Sequence, residues 1–206
     1  MSKTLWMRGA AAVLLLALAA APGPAYAQGL AEADARFLQA AAGAGLFEME
    51  AAQLAQQRAD SSEIKAYAAK MLEQHRAMNG DIKTLALQKQ VTLPDRPSEP
   101  DRGTLEALRG RKGPDFDVVY VKKAAVDAHV NANRLFETAA RQSEDPQVRD
   151  FAVRSLPTVA EHLAMSRVLQ RGTPAGPDKL QPPVKGEAPA VSPASREAPA
   201  LIVPEK

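Results

Sequence analysis

The stretch DARFLQAAAGAGLFEMEAAQLAQQRADSSEIKAYAAKMLEQHRAMNGDIKTLALQ, residues 34–88, decides the fold. Apolar and small side chains return every three or four positions along it, the period of a helix with one buried face, and no proline interrupts them. At 100° per residue the first half puts Leu38, Ala41, Gly45, Glu48, Ala52, Ala55 and Ala59 on one stripe, with Glu50, Gln53 and Gln57 opposite. The second half aligns Ile64, Ala68, Met71, His75, Met78, Ile82 and Leu85, with Lys70, Glu73 and Thr84 on the far side. Between the halves Asp60 reads as an N-cap and Glu63, three residues on, as its capping-box partner. Helices over about 33–59 and 61–90 joined by so short a turn make a helical hairpin.

Working outward, a second hairpin follows. Gly113-Pro114-Asp115 starts a helix over about 115–142, and Asp145-Pro146 starts another over 146–171, each with proline at the first turn, where its missing N–H costs nothing. The inward stripes are Val118, Val121, Ala125, His129, Ala132, Phe136 and Ala139, then Val148, Phe151, Ser155, Val159, His162, Ser166 and Leu169. Pro157 lies inside the last helix, where it should bend the axis and free the Val153 carbonyl. The stretch 91–114 holds Pro94, Pro97 and Pro100 and a short helix from Asp101 to Arg109, and it serves as a crossover. The fold class is therefore all-α, an antiparallel four-helix bundle of two hairpins with one longer crossover and a short extra helix. Composition agrees: hydrophobic residues are 46% and aromatics only 4%, and small side chains in quantity suit close helix packing.

The two ends of the chain read differently. Lys3 and Arg8, the apolar run Ala10–Ala21, the breaker Pro22-Gly23-Pro24 and the small-x-small site Ala25-Tyr26-Ala27 make residues 1–27 a signal peptide, too short in its apolar part to serve as an anchor. Export to the periplasm, with no transmembrane anchor after cleavage, is the expectation, and 28–171 is the folded domain. Loss of Lys3 and Arg8 leaves 24 basic residues against the 24 acidic ones, and without a basic cluster nucleic acid is excluded as a partner. Residues 172–206 carry eight prolines and three glycines and read as a disordered, Pro-rich tail. The absence of cysteine rules out disulfides, thiolate metal sites and thiol catalysis.

Each inward stripe carries a strongly polar residue near its middle, and these include all three histidines of the chain. Glu48 lies twelve residues before Asp60 and His75 fifteen after it, so their depths differ by about 4–5 Å. The same arithmetic from the turn near Ser143-Glu144 separates His129 from His162 by about 6 Å. Glu48, His75, His129 and His162 thus converge on one slab at mid-bundle. Two readings fit them. One is a divalent metal site for zinc, iron, manganese or copper, since imidazole and carboxylate ligate all four. The other is a buried hydrogen-bonded network in which Glu48 accepts from histidine and Ser155 or Ser166 completes the set. Met71 and Met78 are core filler rather than copper ligands.

Asp34-Ala35-Arg36-Phe37, Gly45-Leu46-Phe47-Glu48, Leu54-Ala55, Tyr67-Ala68 with Met71 and His75, Phe116-Asp117 with Tyr120, His129, and Leu156-Pro157 followed by His162-Leu163 occur in an order that resembles the bacterial domain-of-unknown-function family 4142. The resemblance covers about residues 31–171. It implies a ferritin-like bundle, an exported protein and an association with the outer membrane or other envelope proteins, and it implies no activity. Di-iron bundles use Glu-x-x-His pairs, yet here Leu72, Val126 and Val159 stand three residues before the histidines and Glu137 lies to the flank of its stripe. A mononuclear site is compatible with that, and a bridged di-iron centre is not. No nucleophile elbow or phosphate-cradling loop is present; Gly43 and Gly45 fall inside a helix. The expectation is an envelope protein that binds a metal ion or small ligand at mid-bundle. The alternative is a non-catalytic structural or interaction module, and a redox or oxidative-stress-related metalloprotein ranks third.

Overall fold

The computed structural model describes residues 29–173; the expected signal peptide and all but the first two residues of the expected tail lie outside them. Every regular element among the described residues is helical: α1 (Glu32–Arg58), α2 (Ser62–Gln88), α3 (Glu99–Arg109), α4 (Gly113–Val119), a π-helical segment (Tyr120–Asp127), α5 (Ala128–Gln142) and α6 (Pro146–Gly172). α4, the π segment and α5 follow without a break and form the third long rod. No helix among the described residues is long and apolar enough to cross a membrane.

Contacts between helices give their directions. Phe37 near the start of α1 stacks edge-on against Phe136 near the end of α5, with ring centroids 5.2 Å apart, while Asp60 and Ser61 just beyond α1 meet Asp117 at the start of the third rod. Lys70 of α2 pairs with Glu161, and Lys89 just past α2 pairs with Asp145 before α6. α1 and α6 therefore run one way, and α2 and the third rod the other. α2 ends beside Asp145 and the rod begins beside Asp60, so residues 89–112 must travel the length of the bundle. On the way Leu105 and Leu108 of α3 are buried in the cluster that holds Phe47 and Ala51 of α1.

Local chemistry sets the boundaries. α2 is capped by Ser61, whose hydroxyl accepts from the Ile64 N–H, rather than by Asp60. Glu63 accepts from the Ser61 and Ser62 hydroxyls instead of closing a capping box. Asp60 is displaced from the capping role because the turn is held from outside, by the buried Asp117 carboxylate, which accepts from the Asp60 and Ser61 N–H groups at 3.1 and 2.9 Å. The other turn is held alike: buried Asp34 accepts from Glu144 and Asp145 N–H at 3.1 and 2.8 Å. Asp145 caps α6 through Gln147 and Val148, as its sequence predicts. After α2 the chain turns through Gln90 in the left-handed region, and Val91 N–H reaches back to the Ala86 carbonyl, a Schellman ending.

The π segment is the main departure from the helical wheel. A fixed 100° step loses phase across its wider turns. Phe116, Tyr120 and Ala124 are fully buried, and Val118, expected on the inward stripe, is only half-buried. The other three stripes bury as expected, apart from Met78, Ser155 and Leu169, which stay half-buried. α6 continues through Pro157, which faces solvent. Met71 and Met78 pack in the apolar clusters on either side of the polar layer.

Candidate metal centre

His75 comes from α2, His129 from the first turn of α5 and His162 from α6, and all three are buried. Glu48 of α1 is buried in the same layer. Ala52, Ala68, Ala125 and Ala152 are fully buried in the apolar clusters on either side of this layer, where small side chains allow the helices to pack closely. The imidazole centroids are 5.5 Å apart for His75 and His129, 5.1 Å for His75 and His162, and 5.2 Å for His129 and His162.

Hydrogen bonds assign the tautomers. His129 Nδ1–H donates to the Ala125 carbonyl at 2.8 Å, which leaves its Nε2 with the free electron pair. Ala125 belongs to the π segment, so the widened helix supplies the acceptor that orients this ring. His129 Nε2 faces His75 Nε2 at 3.4 Å. His162 Nε2–H donates to Gln74 Oε1 at 2.7 Å; its Nδ1 keeps the free pair and, although buried, has no partner.

Burial favours neutral rings. It holds His129 down to about 4, against the pull of its carbonyl acceptors, and His162 also to about 4, with His129 adding to the effect. Burial, then His129 and His162, pushes His75 well below the usual histidine range. Neutral imidazole is the ligating form. One ligand atom from each histidine lies within 4.8 Å of the other two. Two nitrogens on a tetrahedral zinc at about 2.0–2.1 Å stand roughly 3.4 Å apart, so the His75–His129 gap already matches one edge of such a site.

Glu48, expected among the ligands, is not brought into that group. Its Oε1 lies 3.6 Å from His129 Nδ1, the nitrogen turned to Ala125, and its Oε2 has no partner. Burial, reinforced by Asp101, raises its carboxyl well above the usual range. Tyr67 OH is 3.4 Å from the same Nδ1, and the buried Tyr120 hydroxyl is also unpartnered. Ser166 donates to Leu163 within its own helix, and Ser155 lines an outer groove, so the serine-completed network expected from sequence does not form. Gln74 and Tyr120 were not legible as site residues. Gln74 is one position from the inward stripe, and the π segment hides Tyr120 from a regular wheel.

The family described as Domain of unknown function (DUF4142) matches residues 19–169, and the chain belongs to it. A crystal structure of a conserved hypothetical protein, rv2844, from Mycobacterium tuberculosis is similar at 17% identity and a TM-score of 0.50, covering 67% of this chain and 91% of that one. That likeness is one of fold. No curated protein matches the chain.

Proposed function

We propose that this member of the family binds one transition-metal ion at mid-bundle through His75, His129 and His162, as an exported protein of the bacterial envelope. The observation that carries the proposal is the meeting of three buried, neutral imidazoles from three helices, each with one ligand atom within 4.8 Å of the others. Three nitrogen ligands leave a fourth position for water or a small ligand, and imidazole donors suit zinc, copper and iron. Without a bridging carboxylate the site holds one ion, and no catalytic step is assigned to it. Export rests on the leader-like segment 1–27.

A second reading has its own support. Ala125 and Gln74 already satisfy one nitrogen each of His129 and His162, as in a polar layer that fixes helix register. Metal titration followed by thermal unfolding separates the two. A ligand that binds only the native state at 100 times its Kd stabilises it by about 2.7 kcal/mol. At least one of zinc, iron, manganese and copper should raise the Tm at neutral pH, and the rise should vanish in His129→Ala. No shift with any of the four overturns the metal reading and leaves the bundle as a scaffold.

A further inference from the structure

We infer that the groove between α2 and α6 is the route by which a hydrated divalent cation reaches the histidines, with the Gln74 side chain as its gate. This deepens the metal reading above and rests on it for the identity of the cargo. The groove has a volume of about 720 Å³ and opens to solvent. Gln74 lines it and, through Oε1, accepts from His162 Nε2 at 2.7 Å, so its amide links the wall of the groove directly to a buried imidazole. Two smaller hollows, beside Lys89 and Asp145 and beside Asp34 and Ser143, lie at one end of the bundle, away from the histidines.

The charges of the groove suit a cation. Asp81 and Asp150 line it against a single Arg154, which leaves an excess negative charge in a concave surface, where the field is focused. Opening on this route is a rotation of the half-buried Gln74 side chain away from His162 into the groove it lines. The amide then returns to close the groove and holds the proton on Nε2, which keeps the free pair on Nδ1.

The test uses two readouts on the full chain. Metal-free protein is treated with diethyl pyrocarbonate, which modifies neutral imidazole, and the rate at His162 is read by peptide mass spectrometry; metal loading is followed by stopped flow. Gln74→Ala should raise both rates several-fold. Ala77→Trp, at an exposed position lining the groove, should lower both several-fold and leave the equilibrium affinity unchanged. A lowered rate cannot come from a loosened fold, so Ala77→Trp decides the matter if Gln74→Ala proves unstable. Wild-type rates in Ala77→Trp overturn the route. Absence of equilibrium binding by the wild type overturns the metal reading instead, while the reagent still reports whether the groove leads to His162.

Discussion

At each end of the bundle a buried aspartate on one hairpin accepts two backbone N–H groups from the turn of the other, Asp34 from Glu144 and Asp145, Asp117 from Asp60 and Ser61. An apolar cluster fills the space beside each clamp: Phe37, Phe136 and Phe151 at one end, Phe47, Phe116 and Tyr120 at the other. Midway, Glu48 and the three histidines meet with fewer partners than polar atoms, and Glu48 Oε2 and His162 Nδ1 have none. Single unpartnered atoms also occur toward the ends, Ser143 Oγ and Tyr120 OH, but only in the middle do such atoms lie beside a group of imidazoles. A buried polar group without a partner costs about 1–3 kcal/mol, so the middle is where a ligand has most to gain, while clamps and apolar clusters concentrate stability at the ends.

The largest break in this contrast should come from the apolar end. Phe136→Ala removes the ring between Phe37 and Phe151 and should cost about 3–5 kcal/mol in denaturant unfolding, while the folded fraction keeps its metal affinity. An equal loss of affinity would mean that ends and middle are not separable.

Acid should act on the middle next. His129 and His162 titrate at about 4 when folded against 6.5 unfolded, so the unfolded chain binds more protons between these values and stability falls as pH drops through that window. Glu48, shifted upward, works in the opposite sense, but one carboxyl stands against three imidazoles. Metal-free protein should lose on the order of 3 kcal/mol between about pH 6.5 and 4. His129→Phe should flatten that slope; an unchanged slope would place the acid sensitivity elsewhere.

Smaller again is the clamp. Asp117→Ala leaves the Asp60 and Ser61 N–H groups to water and should cost about 2 kcal/mol, with thermal unfolding as the measure and no change at neutral pH in metal binding. The smallest effect is expected at Glu48. Its carboxyl is held toward the neutral form, which glutamine imitates, so Glu48→Gln should shift metal-free stability by no more than about 1 kcal/mol. It should also steepen the acid loss, because the opposing group is gone. A large destabilisation would show that the ionised carboxylate is needed in the middle.

Much of this was legible in the chain. Period and punctuation located the four long helices, and the crossover followed from Pro94, Pro97 and Pro100. His75, His129 and His162 could be assigned to the inside because a helical wheel needs only local phase. Asp34 and Asp117 were visible as parts of motifs, but their roles were not, since the N–H groups they hold lie 110 and 57 residues away.

The sequence by itself determined which faces of α1, α2 and α6 are buried, because burial of a regular helical stripe follows from spacing and hydrophobicity, and these are local properties. Only the tertiary structure decided which ring nitrogens carry protons, that Glu48 lies beside His129 Nδ1 and outside the three-histidine group, and that Gln74 bonds His162 at the groove. Those outcomes depend on offsets of an ångström or two between helices, and on a π segment that rephases the third rod just before His129. Depth counted from a turn is good to about one helical rise, whereas a hydrogen bond exists or not within a few tenths of an ångström.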